Sequence, residues 1–405
     1  MKKFAPLLLT TLLAATPLLA DPFSDADNAF SKAFDQQDQT WDNEVKNQDA
    51  AYAAYVDEMD RAWKKYAAEI DNAWGKSNAK KPSKKEWVAY SKDRDQRSSI
   101  DFEKGELQVD ILLNHGESPE SKQVAERIQH EITKVIKQPA QEDKALQVTL
   151  PANAATSTTS IYPLKGQLKR HNGETVTNSN AAKFAAEVVK RKPLKRQTIQ
   201  TPQGEKVMLS VSIHLVPNHL QKRTKPYLKR VHEMAQRYHI PDSLILGIMQ
   251  TESYFNPMAH SGVPAFGLMQ LVPRSGARDA YQYVYKNDKI VSSNYLYNAQ
   301  NNIELGSAYL KLLQRREMRR ITNPQSRMIC AIAAYNTGGG NVAKAFIPGS
   351  RNIRRASKII NTMSFEQVYQ HLRTHLPYEE TQNYVQRVRK HMKNFTKLDS
   401  IASLE

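Results

Sequence analysis

The hydrophobic pattern of this chain changes character near Thr224. Between residues 88 and 220, two stretches alternate apolar with polar residues around a Gly-containing turn, SSIDFEKGELQVDILL and RQTIQTPQGEKVMLSVSIHLV. This alternation predicts two β-hairpins, and helical spacing in 119–137 and 178–192 predicts two helices between them. From 221 to 396 the apolar residues follow helical spacing. The sequence therefore predicts an α+β protein, with a small α+β domain (88–220) ahead of a mainly helical domain (221–396) and a short tail.

The first 87 residues form three segments of different composition. Residues 1–20, MKKFAPLLLTTLLAATPLLA, have two Lys ahead of an apolar core, which is typical of a secretory signal. No later apolar run approaches the ~18 residues of a membrane span, so no transmembrane segment is expected. Residues 21–75 place aromatic side chains at three- and four-residue steps, which predicts one long helix or two antiparallel ones. A basic linker, KSNAKKPSKKEW, occupies 76–87.

The aromatic stripe of residues 21–75 has two interpretations. It is either a surface on which sugars or a partner stack, or a packing face against another helix or the neighbouring domain, and packing is the commoner role. The segment is acidic, with thirteen Asp or Glu against five Lys or Arg between residues 21 and 71, although the whole chain carries +17. The remaining chain is therefore strongly basic, which indicates an anionic partner.

Cysteine and histidine point to neither a nucleophile nor a metal site. The single cysteine, Cys330, lies in the apolar helical run MICAIAAY, so we expect a small buried hydrophobe. No cysteine lies at the signal cleavage region, where a bacterial lipoprotein needs one. Peripheral association with the outer membrane stays open. His115, His130 and His171 are scattered rather than spaced as ligands, so neither a metal nor another cofactor is expected.

The stretch 145–177 is strand-like around a Thr/Ser/Ala loop.

Glu252 is the strongest candidate for a reactive group. It lies at the end of a short apolar helix. We expect Asp242 to be the N-cap of this helix and Asn256-Pro257 to end it. Glu252 then lies in or near the last turn, where free carbonyls and apolar neighbours raise the pKa of its carboxyl. A carboxyl that is protonated near neutral pH can act as a general acid. The alternative is a solvated surface residue, as a lone Glu near a helix end usually is.

Four short motifs distinguish Glu252 from an ordinary surface residue. They are Glu252-Ser253, Phe255-Asn256-Pro257, Gly267-Leu268-Met269-Gln270 and Ala334-Tyr335-Asn336. In this order and spacing they resemble the lytic transglycosylase domain of bacterial murein-cleaving enzymes, which implies a lysozyme-like fold for the helical domain. The hairpin SIDFEKGELQV, the helix after it and the tail IINTMSFEQVY are similar to the membrane-bound lytic murein transglycosylase C family, from about Trp87 to Phe395.

The resemblance implies a reaction in which Glu252 is the single catalytic acid/base. The family cleaves the MurNAc–GlcNAc β-1,4 bond of peptidoglycan and closes a 1,6-anhydro ring on the muramyl sugar instead of admitting water. The residues agree with this, because no second carboxylate adjoins Glu252 in sequence; the next acidic residue downstream is Asp279. Folding could still bring a distant carboxylate to the site.

The remaining site residues are implied by position in the family motifs. Ser253 would contact the muramyl sugar, and Met269 and Gln270 would line the glycan cleft. Tyr335 and Asn336 would stand on the cleft wall, and Tyr384 on the last helix would hydrogen-bond the acid. For each tyrosine, the alternative is a core residue whose hydroxyl is satisfied elsewhere.

We therefore expect a periplasmic lytic transglycosylase that acts on peptidoglycan glycan strands in cell-wall turnover. One alternative is a lysozyme-like hydrolase on the same fold, and another is a non-catalytic murein-binding scaffold. Nucleic acid, the generic partner of a basic chain, is not expected for an exported protein. The sequence leaves open endo or exo action, stem-peptide preference and oligomeric state.

Overall fold

The computed structural model describes residues 49–140, 146, 148, 162–261 and 264–402. The chain divides into two compact units, residues 1–53 and 54–405. Residues 49–74 form helix α1, as the aromatic spacing predicts. The predicted signal and the first part of the acidic aromatic segment lie outside the described residues.

The α+β domain is built on a five-stranded antiparallel sheet with the strand order β1-β2-β3-β5-β4. Its elements are β1 (Glu86–Tyr90), β2 (Gln96–Asp101), β3 (Glu106–Leu112), α2 (Lys122–Lys137), α3 (Ala181–Arg191), β4 (Lys195–Thr201) and β5 (Gly204–His214). Both predicted hairpins and both predicted helices are confirmed. Strand β1 was missed, because its first two residues were assigned to the linker and no element was predicted for 88–90. The strand expected before residue 177 is wrong for residues 162–177, which form turns and a single bridge between Lys169 and Thr175.

The two faces of the sheet are covered by different helices. On one face, apolar residues of α2 and α3, such as Ile128 and Phe184, join Ile100, Leu107 and Val109 in one buried cluster. These residues follow helical spacing in the helices and period two in β3, so each element turns its apolar side to the same layer.

Helix α1 covers the other face of the sheet with the end of its aromatic stripe. Tyr66, Ile70 and Trp74 are fully buried against Val88 and Met208. The Trp74 indole donates a hydrogen bond of 2.6 Å to the Arg94 carbonyl. The packing interpretation of the stripe is therefore confirmed for these residues, and they do not present a sugar-stacking surface.

The helical domain buries one large hydrophobic core, and every residue of its helix Asp242–Ser253 is buried. Its helices are α4 (His219–Thr224), α5 (Leu228–Tyr238), α6 (Asp242–Ser253), α7 (Arg278–Tyr285), α8 (Ser293–Tyr297), α9 (Ala299–Leu312), α10 (Pro324–Thr337), α11 (Gly339–Phe346), α12 (Ile353–Ile360), α13 (Phe365–His375), α14 (Glu379–Met392) and α15 (Thr396–Ala402). The α+β fold class is confirmed, and Cys330 is buried as expected. Among the described residues, no helix has the length and apolar character needed to cross a bilayer.

Arg223 joins the α+β domain to the segment that follows the candidate acid. Its guanidinium donates to the Phe102 carbonyl (2.6 Å), to Gln167 Oε1 (3.0 Å) and to the Tyr254 carbonyl (3.3 Å). Burial lowers the pKa of Arg223 to about 10, so it stays charged at neutral pH while neutral oxygens hold it. The start of the helical domain is thereby fixed to the turn between β2 and β3.

Candidate functional site

Helix α6 places Glu252 in its last turn, as predicted. The residues that cap its N-terminus and end its C-terminus differ from those expected. Pro241 is the N-cap residue and Asp242 is the first helical residue, so the expected Asp242 cap is wrong. The Ser243 N–H, in the first turn of the helix, instead donates to Asp399 Oδ1 on α15, at 2.9 Å. Residues 397–405, expected to be a simple tail, therefore include a helix that supplies a distant cap.

The C-terminal end of α6 is set by Tyr254 and Phe255 rather than by Pro257. Tyr254 and Phe255 both have positive φ, 50° and 61°, which turns the chain out of the helix before Asn256 is reached. The Asn256 amide then donates to the Lys84 carbonyl at 3.3 Å. The expected Asn256-Pro257 stop is therefore wrong by two residues.

Glu252 is buried, and its carboxyl is paired with the Lys84 ammonium. The residue is 4% exposed, and Lys84 Nζ lies 3.3 Å from its Oε2. Burial is the largest influence and raises the pKa of Glu252, the nearby Lys84 charge and Tyr384 oppose it, and the negative charge of Glu380 adds to it. The predicted direction of the pKa holds, and its main cause is loss of water around the carboxyl.

Tyr335 and Tyr384 lie on two helices that pack around Glu252. The Tyr335 hydroxyl on α10 donates to the Met269 carbonyl at 2.8 Å. Tyr384 on α14 is 2% exposed, and its hydroxyl makes no hydrogen bond of ordinary geometry within the described chain. Burial and then the Glu252 charge raise the pKa of both tyrosines well above the ordinary value, so both hydroxyls stay protonated beside the carboxyl.

Ser253 and Met269 are buried in the structure rather than displayed on a cleft. The one proton of the Ser253 hydroxyl is shared between the Met249 carbonyl (3.0 Å) and the Leu268 carbonyl (2.8 Å), which ties α6 to the loop below it. Met269 is fully buried, and its backbone N–H donates to Asn302 Oδ1 at 2.8 Å. These placements give no support to the expected sugar contacts of the two side chains, which stay predictions.

Gln270 and Asn336 are also held by protein groups. The Gln270 amide donates to the Ala259 carbonyl (3.0 Å) and the Gly267 carbonyl (3.1 Å), while its buried Oε1 has no hydrogen-bond donor in the described residues. Asn336 is half-buried and accepts a hydrogen bond of 2.7 Å from the Thr381 hydroxyl, which joins α10 to α14. Among the predicted residues, the structure thus gathers Glu252 with Tyr335 and Tyr384.

Lys84 and Asn302 are the site residues that sequence reasoning missed. Lys84 belongs to the lysine-rich run KKPSKK, where nothing separates it from its solvated neighbours. Asn302, besides receiving the Met269 N–H, donates to the carbonyls of Phe266 and Leu296, both at 2.9 Å, and so holds the loop beneath Glu252. No local pattern in the sequence marks either residue.

The site can transfer a proton with one buried carboxyl, assisted by an ammonium and two phenol hydroxyls. In the described ranges, no group of His, Cys, Asp and Glu is arranged to hold a metal ion. A carboxyl with a raised pKa donates its proton near neutral pH, and the adjacent ammonium stabilises the carboxylate that remains.

Two family models match successive parts of the chain. Residues 52–226 match the N-terminal domain of membrane-bound lytic murein transglycosylase C, and residues 229–357 match the transglycosylase SLT domain. The membrane-bound lytic murein transglycosylase C of Sodalis glossinidius (strain morsitans) is 36% identical over 313 residues, 77% of this chain and 82% of that protein. This chain belongs to the lytic murein transglycosylase C family. The first match begins in α1, well ahead of the residue near 87 where the resemblance was expected to start.

A further family member and two solved structures are also similar to this chain. The lytic murein transglycosylase C of Haemophilus influenzae (strain PittEE) is 35% identical over 314 residues, 77% of this chain and 82% of that protein. The 70 kDa soluble lytic transglycosylase Slt70 of Escherichia coli is 24% identical, with a TM-score of 0.33 over 43% of this chain and 25% of that chain. Lytic transglycosylase Slt of Pseudomonas aeruginosa is 27% identical, with a TM-score of 0.31 over 40% and 23%.

Proposed function

We propose that this protein is a lytic transglycosylase that cleaves the MurNAc–GlcNAc β-1,4 bond of peptidoglycan and leaves 1,6-anhydro-MurNAc ends. The observation that carries the proposal is the environment of Glu252, a buried carboxyl in the last turn of α6 with a raised pKa. Membership of the lytic murein transglycosylase C family supports the same activity.

In the proposed reaction Glu252 acts twice. The protonated carboxyl first donates its proton to the glycosidic oxygen, and the bond from that oxygen to C1 of the muramyl sugar breaks. The resulting carboxylate then takes the proton of the C6 hydroxyl on the same sugar while O6 bonds to C1. The proton lost from O6 restores the acid for the next cycle, so the reaction consumes no water.

The surroundings of Glu252 suit both steps. Burial favours the protonated form that starts the reaction, and Lys84 at 3.3 Å stabilises the carboxylate that the second step needs. We assign Tyr335 and Tyr384 to the wall around the reacting carboxyl. Asn336, Gln270, Ser253 and Met269 then hold that wall and the loop beneath it.

A lysozyme-like hydrolase needs a second carboxylate, and Glu380 is the candidate that the structure offers. It lies in the first turn of α14, is exposed, and its charge raises the pKa of Glu252. Two-carboxylate glycosidases place the second group about 5–9.5 Å from the acid and need it for turnover. A transglycosylase does not need it.

The test is a digest of purified murein analysed by liquid chromatography and mass spectrometry, with E252Q and E380Q as the paired variants. We expect anhydro-muropeptides from the wild type and from E380Q, and a loss of about 10²–10⁴-fold in rate for E252Q. Reducing, hydrated ends that disappear in E380Q would establish the hydrolase instead. Full activity of E252Q would remove Glu252 from the chemistry, and tight binding to sacculi without any cleavage by the wild type would support the scaffold.

We further propose that the protein works at the cell envelope on the periplasmic side. The signal-like segment at residues 1–20 and the membrane-bound relatives support this location. Fractionation of cells, with the membrane fraction washed in high salt, distinguishes a periplasmic protein from one peripherally attached to the outer membrane. Recovery of the protein in the cytoplasm would contradict the proposal.

A further inference from the structure

The backbone around Lys84 is fixed from two sides. The Lys84 carbonyl accepts from the Asn256 amide at 3.3 Å, which comes from the segment after α6. The neighbouring Lys85 carbonyl accepts from the Phe102 N–H at 3.0 Å, on the turn between β2 and β3. The linker therefore enters β1 in a defined conformation, with Lys84 held between the sheet and the helical domain.

The Lys84 side chain reaches from the linker ahead of β1 to the buried Glu252 carboxyl of the helical domain. Its side chain is 38% exposed, whereas the Glu252 side chain that it contacts is 5% exposed. A lysine that extends from solvent onto a buried carboxyl gives up part of its hydration. It keeps that position because the carboxylate has little other solvation.

We propose that Lys84, in the linker that leads into strand β1, is a positioning residue of the reaction, which orients the Glu252 carboxyl and stabilises its carboxylate form for the second proton transfer. This inference rests on the proposed function, in which Glu252 is the acid. The active site then combines residues of the helical domain with a lysine from the linker ahead of the α+β domain.

The other groups that face Glu252 do not carry a positive charge as Lys84 does. Tyr384 and Glu380 approach from α14 and Tyr335 from α10, so they contribute two neutral phenols and one negative charge. Lys85, the next residue in the chain, is directed elsewhere, with its Nζ 2.8 Å from Glu103 Oε2 and 4.8 Å from the centre of the Tyr254 ring. Lys85 is therefore a matched control of the same residue type.

The direction of the effect follows from the charge. Lys84 favours the carboxylate, so its removal raises the pKa of Glu252, and the protonated acid persists to higher pH. The value of kcat/KM falls when the free enzyme loses its essential proton. The alkaline limb of the pH profile should therefore move to higher pH. An opposite charge at this separation is expected to shift the limb by about one pH unit.

The experiment compares the full-length wild type with K84M, K84R and K85M, measuring release of anhydro-muropeptides from about pH 4 to 9. We expect K84M to move the alkaline limb to higher pH by about one pH unit. It should also lower kcat, because the second proton transfer lacks the cation that stabilises the carboxylate. K84R should restore the wild-type limb, and K85M should leave it unchanged.

Three outcomes would overturn the inference: a wild-type limb in K84M, an equal shift in K85M, or no rescue by K84R. Should K84M fail to fold by circular dichroism, K84Q provides the second neutral variant. Failure of the proposed function looks different, since it requires activity in E252Q or hydrated products from the wild type. The two results are therefore separable within one set of digests.

Discussion

Replacing Arg223 by methionine should destabilise the protein and disturb the segment that carries the acid. The guanidinium is buried and supplies the hydrogen bonds to the carbonyls of Phe102 and Tyr254 and to Gln167 Oε1. Methionine fills a similar volume but donates nothing, so three acceptors lose their donor. Tyr254 follows Glu252 by two residues, which links the loss of this bond to the geometry of the acid.

The expected magnitude comes from two opposing effects. A buried acceptor that loses its donor costs about 2 kcal/mol, and three such acceptors are affected. Removing the cation relieves about 3 kcal/mol, because its pKa is lowered from 12.5 to about 10 at roughly 1.4 kcal/mol per unit. The free energy of unfolding should therefore fall by about 3 kcal/mol in R223M.

Urea unfolding, followed by circular dichroism and tryptophan fluorescence and extrapolated linearly to water, measures this change. The matched control is R237M, since Arg237 pairs with Glu304 at 2.7 Å but its side chain is 50% exposed. Exposed ion pairs contribute about 1 kcal/mol or less, so R237M should remain close to wild type. A loss below about 1 kcal/mol in R223M, equal to that of R237M, would refute the structural role given to Arg223.

Three further predictions concern the loop below the acid, acid stability and substrate binding. Gly267 has φ 76°, and a Cβ there would collide with the Leu296 carbonyl and the Asn302 amide. The G267A variant should therefore have a lower melting temperature and a lower rate of murein cleavage. An unchanged rate would contradict this. Burial lowers the pKa of His260 and His391 to about 4, so the unfolded state takes up these protons first and stability should fall as pH drops from about 6.5 toward 4. Urea titrations across this range, with H260Q flattening the slope, test that sign. Binding to isolated sacculi should weaken as salt rises, because the chain carries +17; salt-independent binding in a pull-down would oppose an electrostatic contribution.

Much of the local structure could be predicted because it depends on neighbours in the chain. The β2–β3 turn at Gly105 and the β4–β5 turn at Gly204 are visible as breaks in period-two patterns. The last-turn position of Glu252 follows from an apolar helix that ends shortly after it. The raised pKa of Glu252 was predicted with the right sign, because a glutamate among apolar residues loses water wherever the helix packs.

Predictions failed where a partner comes from a distant part of the chain. The N-terminus of α6 is capped by Asp399 rather than by Asp242, and the approach of α15 to that helix leaves no trace near residue 242. The bond from the Ser253 hydroxyl to the Leu268 carbonyl, in a loop that folds beneath α6, was likewise not foreseen from the sequence, and the sugar contact expected for Ser253 stays a prediction. The aromatic stripe of α1 was recognisable from spacing, but its burial against Val88 and Met208 was not.

The sequence by itself determined the two hairpins and the apolar helix whose last turn holds Glu252, and it made that carboxyl the candidate proton donor. The tertiary structure decided what surrounds that carboxyl. Lys84 and Glu252 are 168 positions apart, and Arg223 bonds to Phe102 across 121. Helical and strand patterns arise from contacts a few residues apart, whereas these pairs form only when whole elements pack against one another. A lysine in a basic linker therefore looks like any other until the sheet and α6 bring it to the acid.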